Sequence, residues 1–124
     1  PMHERVTGHR MALFRVLLNL TTNAIKFTEE GFVSISAKTL DRDLVEFSVR
    51  DSGRAIAEEA ADTLFEPFKK ARYRRGYFFS GSGLGLSIAR RYLRAMDSDL
   101  HFETKPGWGT RFHFKLNLAP TEQL

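Results

Sequence analysis

The spacing of apolar residues predicts a long helix near the start of the chain. Between residues 9 and 27 the apolar positions recur close to the period of an α-helix. They are Met11, Phe14, Leu17, Leu18, Leu20, Ala24, Ile25 and Phe27. Thr7 is placed to cap the N-terminus of this helix, and Gly31 follows its end. The sequence therefore predicts a helix from about His9 to Phe27 with one apolar face.

After this helix the period changes to two. Apolar and polar residues alternate in two runs, over 33–38 and 45–50, and the turn Asp41-Arg42-Asp43 separates them. The apolar members are Val33, Ile35, Ala37, Val45, Phe47 and Val49. Strict alternation places them on one side of each strand. We expect an antiparallel hairpin with one buried face.

The remaining chain predicts two more helices and a return to strands. A short helix fits 57–64, where Glu58 and Glu59 suit a helix N-terminal turn, and a long polar loop follows Pro67. An amphipathic helix starts at Leu84, and strands follow around 100–103 and 110–118. These elements favour an α/β (α+β) two-layer sandwich, in which the helices cover one face of a mixed sheet.

Composition limits what this fold can be part of. At 124 residues the chain fits a single domain, 1–124. Its 42% hydrophobic and 27% charged residues are ordinary for a soluble protein. No apolar run approaches the roughly 20 residues of a membrane-spanning helix, and no signal-peptide pattern opens the chain. The absence of cysteine excludes disulfides and fits a cytoplasmic location.

The net charge of +4 favours an anionic ligand or partner. Much of the positive charge is concentrated in one seven-residue stretch. Its cations are Lys69, Lys70, Arg72, Arg74 and Arg75, and the neighbouring aromatic residues are Tyr73, Tyr77, Phe78 and Phe79. Cations among aromatic rings can bind single-stranded nucleic acid, which is one hypothesis for this segment.

Three polar residues interrupt the apolar pattern of the first helix. Asn19, Asn23 and Lys26 are spaced by four and three residues and so share one face. Amide oxygens suit a hard cation such as Mg²⁺, which keeps waters and substrate phosphates as its other ligands. Lys26 can neutralise a phosphate. Taken alone, these three residues are better explained as a solvated surface stripe.

Two further patterns suggest a nucleotide, although each has a simpler explanation. Asp51 ends an apolar strand, where a carboxylate can bind a base beside the sheet, but Asp51-Ser-Gly53 is also ordinary turn chemistry. Gly81, Gly83 and Gly85 precede a helix, whose N-terminus can bind phosphate. The stretch lacks the lysine of a Walker motif. Glycines before a helix more often give only loop flexibility.

Together, four stretches in this order resemble the ATP-binding catalytic domain of bacterial sensor histidine kinases. They are 19–28, 51–56, 65–68 and 81–86, and the resemblance extends from about residue 7 to residue 118. This domain belongs to the superfamily shared with gyrase, Hsp90 and MutL (GHKL). The resemblance implies the Bergerat fold: a mixed, largely antiparallel five-stranded sheet, three helices on one face and a nucleotide lid.

The resemblance also implies roles for individual residues around ATP and Mg²⁺. Asn23 resembles the metal ligand, Asp51 the carboxylate that recognises adenine, and Thr110 a member of its water network. Asn19, Lys26 and Lys70 form the implied catalytic set beside the phosphates. The other implied nucleotide contacts are Phe27, Gly53, Ile56, Phe68, Gly81, Ser82, Gly83, Leu84, Gly85 and Leu86.

The implied activity is transfer of the γ-phosphoryl group of ATP to a histidine on a separate dimerisation and phosphoacceptor domain. That histidine would in turn serve a response regulator of a two-component system. The four histidines here lie in no acceptor-like context; His101 and His113, for example, are better explained as strand-face residues. We therefore expect a monomeric fragment of a longer kinase that can be membrane-anchored, with no nucleic acid as partner. Relatives that hydrolyse ATP usually have a glutamate at the position of Asn19, and an amide cannot act as that base.

Two departures from the family pattern bear on these expectations. Ala55 stands where a second glycine is usual, and it would weaken nucleotide binding if its φ were positive. A degenerate catalytic domain that serves as a signalling or docking module is therefore the alternative function. Asp97-Ser98 replaces a usual glycine pair after the last helix, and Asp tolerates left-handed geometry better than most residues.

Overall fold

The computed structural model describes residues 2–26, 28–53, 55–56, 65 and 85–118. These residues form two helices and four strands. In chain order they are α1 (Met2–Lys26), β1 (Val33–Asp41), β2 (Leu44–Asp51), α2 (Gly85–Ala95), β3 (His101–Lys105) and β4 (Gly109–Asn117). The predicted helix over 57–64 and the loop after Pro67 lie outside the described residues. Within the described part of the chain, no helix has the length and apolar character needed to cross a membrane.

The four strands form one sheet in the order β1-β2-β4-β3, and all three pairs are antiparallel. The predicted β1–β2 hairpin is confirmed, as is the α/β class with an antiparallel sheet and helices. The described residues contain four of the five expected strands and two of the three expected helices. β2 and β4 are central, so Asp51 at the end of β2 lies opposite Thr110 on one side and Val33 on the other.

Both helices pack on the same face of the sheet. The alternating inner residues of β2, β4 and β3 form a core with the apolar faces of α1 and α2. The buried core residues are Val16, Leu20, Ala24, Val49, Ile56, Leu86, Ala89, Leu93, Leu100, Phe112, Phe114 and Leu116. Their 3.6-residue spacing in the helices and 2-residue spacing in the strands explain why periodicity alone predicted these elements.

Two expectations about the first half of the chain are wrong. α1 begins at Met2, so Thr7 does not cap it. The sequence from Met2 to Lys26 contains no proline, and Gly8 inside the helix costs only about 1 kcal/mol. Nothing local therefore stops the helix from beginning earlier than predicted. The apolar side of β1 is not buried either: Ile35 is 55% exposed. β1 is an edge strand, and the buried face of α1 packs against the core of the inner strands instead.

The C-terminus of α2 ends in a Schellman motif built on aspartate. The Ser98 N–H donates to the Leu93 carbonyl at 2.8 Å, and the Asp97 N–H donates to the Arg94 carbonyl at 3.2 Å. Asp97 has a φ of 61°, in the left-handed region that glycine favours. Aspartate therefore adopts the left-handed conformation here, which it tolerates better than most residues.

We expect Asp97→Gly to stabilise the domain by about 1 kcal/mol, because glycine removes the steric cost of a Cβ at positive φ. Asp97→Ala, the matched control, should lower stability, since alanine lacks even the tolerance of aspartate for this geometry. Urea unfolding of the three proteins measures both changes. Equal midpoints for the glycine and alanine variants would contradict a conformational origin.

Candidate functional site

The predicted polar stripe of α1 lies along the border of its buried face. Asn19 and Asn23 are half-buried, whereas Lys26 at the end of the helix is exposed. Leu20 and Ala24, the residues that follow the two asparagines, are fully packed in the core. The amides therefore lie at the border of the buried face of α1, and α1 contacts β2, the strand that ends at Asp51.

Asp51 is a carboxylate in an otherwise apolar row. Its side chain lies on the same face of β2 as the core residue Val49, and only 3% of the residue is exposed. The Gly53 N–H donates a hydrogen bond of 2.9 Å to Asp51 Oδ1. Burying a carboxylate at the end of a core strand is costly, because the charge loses its hydration. Charged residues are therefore rarely fully buried without a partner. Such an arrangement is typical of a functional site.

Burial raises the pKa of Asp51 to about 6, and this effect outweighs the Gly53 N–H and the nearby Arg50 charge, which both act to lower the pKa. The proton is therefore lost within the physiological range rather than near the ordinary value of 3.8. At neutral pH Asp51 is ionised and can accept hydrogen bonds from a donor on a ligand.

Beside Asp51, a pair of hydroxyls links β4 to β3. Thr110, the β4 partner of Asp51, is completely buried. Its Oγ1 lies 2.9 Å from Oγ1 of Thr104 on β3. The Ile56 N–H donates to the same Thr104 oxygen at 2.9 Å, which ties the segment after β2 to β3. The structure thus brings together Asp51, Gly53, Ile56 and Thr110, all four of which the sequence had marked.

Thr104 was missed because the predicted strand ended at Glu103. The period-two pattern contains the signal that could have found it: Thr104 lies two residues after Phe102, on the same face of β3, and the observed strand continues to Lys105. Its hydroxyl is the common partner of Ile56 and Thr110. The Thr104 hydroxyl therefore links Ile56 and Thr110, two residues that the sequence analysis had predicted as site residues.

Gly109 was also missed as a site residue. Its φ is +112°, and a Cβ at this position would overlap the backbone carbonyl oxygen of Asp51 and lie 2.9 Å from the carbonyl carbon. The turn before β4 is thus packed directly onto the backbone of the carboxylate. In the sequence Gly107-Trp108-Gly109-Thr110, both glycines could serve the turn, and nothing distinguished Gly109 from Gly107.

The remaining predicted residues are placed as follows. Gly85 is exposed and begins α2, and Leu86 is buried in the core. Ala55 is buried, and the non-glycine residues with positive φ among those described are Arg42 and Asp97. The strain that a positive φ would have caused at Ala55 is therefore absent. The predicted residues that lie outside the described part of the chain are Phe27, Phe68, Lys70, Gly81, Ser82, Gly83 and Leu84.

The two strand histidines lie away from this site. His101 and His113 are opposite each other on β3 and β4, with their ring centroids 5.7 Å apart. They project from the outer face of the sheet, since they alternate with the core residues Phe112 and Phe114. Their interpretation as strand-face residues is confirmed.

Comparison with known proteins agrees with this fold. Residues 8–120 match the family described as histidine kinase-, DNA gyrase B- and HSP90-like ATPases. The chain is 34% identical to the sensor histidine kinase RcsC of Escherichia coli strain K12 over 113 residues, which is 91% of this chain and 12% of RcsC. It is likewise 34% identical over 119 residues to the signal transduction histidine-protein kinase BarA of the same strain, covering 93% of this chain and 13% of BarA.

Solved structures give the same result at the level of the fold. Full-length ShkA in complex with AMPPNP superposes with a TM-score of 0.73 at 34% identity, covering 90% of this chain and 22% of ShkA. The mycobacterial sensor histidine kinase MprB superposes with a TM-score of 0.73 at 27% identity, covering 86% of this chain and 72% of that structure. The chain therefore belongs to the histidine kinase-, DNA gyrase B- and HSP90-like ATPase family, as the ATP-binding catalytic domain found in sensor histidine kinases.

Proposed function

We propose that this domain binds Mg²⁺-ATP and transfers its γ-phosphoryl group to a histidine on a separate phosphoacceptor domain, for relay to a response regulator. The observation that carries the proposal is the buried carboxylate of Asp51 at the end of β2, next to the helix that bears Asn19 and Asn23. The chain spans only about an eighth of RcsC and BarA, so the acceptor histidine would belong to another segment of a longer protein.

Asp51 would recognise the adenine. An ionised carboxylate accepts a hydrogen bond from the exocyclic amine of adenine, and the low polarity of the surrounding core strengthens this bond. The hydrogen bond from Gly53 fixes one carboxylate oxygen. Thr110, buried beside Asp51 and hydrogen-bonded to Thr104, would orient a water between carboxylate and base.

Asn19, Asn23 and Lys26 would act on the triphosphate. The amide oxygen of Asn23 is a hard, neutral donor of the kind that Mg²⁺ accepts alongside phosphate oxygens and water, and half-burial limits its rotamers. The metal, when bound, would supply charge neutralisation at the phosphates. Lys26 would offset further negative charge, and Asn19 would hold a phosphate oxygen by hydrogen bonding. Positioning and charge neutralisation account for most of the catalysis of phosphoryl transfer.

Calorimetric titration with ADP and with a non-hydrolysable ATP analogue, each with and without Mg²⁺, tests nucleotide binding. We expect binding that strengthens when the metal is present. No heat and no NMR chemical-shift change at millimolar nucleotide would favour the alternative, a domain that acts only in docking. Phosphoryl transfer itself is tested with the full-length kinase, by incorporation of an acid-labile phosphate from labelled ATP.

Asn23→Ala should remove the metal-dependent part of ADP affinity, about tenfold, while leaving the fold intact. The reason is that alanine deletes the proposed Mg²⁺ ligand at a half-buried position on α1. Thr22→Ala, at the adjacent exposed position of the same helix, is the control and should retain the metal dependence. Unchanged affinity of the Asn23 variant in Mg²⁺ would contradict this assignment.

A further inference from the structure

Arg50 lies between two aromatic rings on the face of the sheet opposite the helices. Its guanidinium carbon is 4.2 Å from the centroid of a Trp108 ring and 5.3 Å from the centroid of Phe32. Its Nη2 also donates a hydrogen bond of 3.2 Å to the Trp108 carbonyl. The guanidinium therefore stacks on the indole of Trp108 and donates a hydrogen bond to the backbone of the same residue. Because the planar guanidinium can make both contacts only in a narrow range of positions, the two side chains fix each other's position.

These contacts join the three segments around the adenine site. Phe32 lies in the connection after α1 and exchanges hydrogen bonds with Ser52: the Ser52 N–H donates to the Phe32 carbonyl at 3.0 Å, and the Phe32 N–H donates to Ser52 Oγ at 2.8 Å. Trp108 precedes Gly109 in the turn before β4. Arg50 itself precedes Asp51, so the three segments meet around one side chain.

We propose that Arg50 and Trp108 are positioning residues for the adenine-binding carboxylate, holding the turn before β4 against the backbone of Asp51. The inference rests on the proposed function. Gly109 follows Trp108 directly and approaches the Asp51 carbonyl so closely that no methyl group fits between them. A shift of Trp108 would therefore be transmitted to the backbone of Asp51 and to Thr110.

The Arg50 side chain makes these contacts at an energetic cost. The Nε atom of Arg50 is buried and has no hydrogen-bond partner among the residues that the structure describes. A buried donor without an acceptor is unfavourable, so the side chain is held for its contacts with Trp108 and Phe32 despite that cost. Arg111, which pairs with Arg50 across the strands, is instead bonded through its guanidinium to Glu46 and Glu103.

The charge of Arg50 provides a second link to Asp51, since it acts to lower the pKa of that carboxyl. Among the described residues, the Gly53 N–H also acts to lower the pKa of the Asp51 carboxyl. Val33 and Thr110, the cross-strand neighbours of Asp51, are uncharged. On α1, the cation of the polar stripe is Lys26, which is exposed. Loss of the Arg50 charge should therefore move the titration of Asp51 upward in pH.

The test measures the affinity for ADP by calorimetry and the pKa of Asp51 by carboxyl NMR in the nucleotide-free protein. Arg50→Gln should weaken ADP binding about tenfold and raise the pKa of Asp51. Arg50→Lys should retain the pKa but still lose affinity, because lysine cannot make the same planar contacts. Trp108→Leu should weaken binding similarly, and Trp108→Phe should restore much of the loss. Arg111→Gln, which removes the same charge from the same face, should change neither quantity.

The outcomes separate this inference from the proposed function. If the wild-type protein does not bind ADP, the proposed function fails. If it binds ADP, but Arg50→Gln and Trp108→Leu match Arg111→Gln in affinity and in the pKa of Asp51, the positioning role alone is overturned. If Arg50→Gln does not fold, the ADP affinities of the two Trp108 variants decide. Weaker binding by Trp108→Leu than by Trp108→Phe would support the positioning role, and equal binding would overturn it.

Discussion

Replacing Asp51 with asparagine is expected to weaken ADP binding by about 10- to 100-fold while stabilising the nucleotide-free domain. The loss of affinity follows from removing an ionised acceptor, because hydrogen bonds to charged groups contribute about 1.5–3 kcal/mol. The amide NH₂ would also present a donor to the donor amine of adenine. The gain in stability follows from the burial of the same group, which is 3% exposed.

The sign and pH window of the stability change follow from the raised pKa. Burial moves the pKa of Asp51 from 3.8 to about 6 in the folded state, so the folded protein binds this proton more tightly than the unfolded chain. Below about pH 4 both states are protonated and the carboxyl carries no penalty. The penalty grows as pH rises from about 4 to 6 and is complete at pH 7, where it reaches about 3 kcal/mol. Asp51→Asn should recover up to that amount at pH 7 and almost nothing at pH 4.

Urea unfolding at pH 4 and pH 7 measures this change, and Asp99→Asn is the matched control. Burial would raise the pKa of Asp99, but hydrogen bonds from Arg90, the Leu100 N–H and Arg94 outweigh it and lower the pKa to about 2. The contribution of Asp99 is therefore stabilising above about pH 4 and is lost as pH falls toward 2. Asp99→Asn should destabilise the domain at pH 7. Destabilisation by Asp51→Asn at pH 7 would contradict the account of Asp51 as a charge buried for function.

The wild-type affinity for ADP should follow the same titration. Because only the ionised carboxylate would accept the adenine amine in the proposed site, the affinity should fall about tenfold per pH unit below the pKa of Asp51. The Asp51→Asn variant should lack this dependence.

Residue periodicity was sufficient to predict most of the described elements. The apolar stripe of α1, the alternation in β2 and β4 and the amphipathic pattern of α2 each reflect burial on one face. The alternation in β1 also predicted a strand, although its apolar side is exposed. The same alternation fixed the direction of Asp51, since a residue two positions after Val49 must lie on the core face. A carboxylate at that position is informative because the pattern itself predicts that it is buried.

The parts that could not be predicted depend on contacts between distant residues. The exposure of Ile35 depends on which strands the helices cover, and the extension of α1 to Met2 is allowed rather than required by its sequence. The stacking of Arg50 on Trp108 joins residues 58 positions apart. Alternation predicts only that Arg50 lies on the outer face, and local pattern contains no signal for its partner there.

The difference between Gly107 and Gly109 provides the sharpest test of how the proposed adenine site is built. Both have positive φ, at 79° and 112°, so alanine at either position incurs backbone strain. A Cβ at Gly107 would meet no heavy atom within 4 Å, whereas a Cβ at Gly109 would overlap the Asp51 carbonyl. Both alanine substitutions would therefore strain the backbone, but only the substitution at Gly109 would also bring the new Cβ into collision with the backbone of Asp51.

Gly109→Ala is therefore expected to destabilise the domain by about 3 kcal/mol or more, against about 1 kcal/mol for Gly107→Ala. ADP binding should be lost in the first variant and retained in the second. Urea unfolding and calorimetric titration of both proteins measure these effects. Similar losses of stability and affinity in the two variants would mean that the turn as a whole, rather than its contact with Asp51, determines the site. If the losses differ as expected, the position of the Asp51 carboxylate is set by the close packing of one glycine against the end of the neighbouring strand.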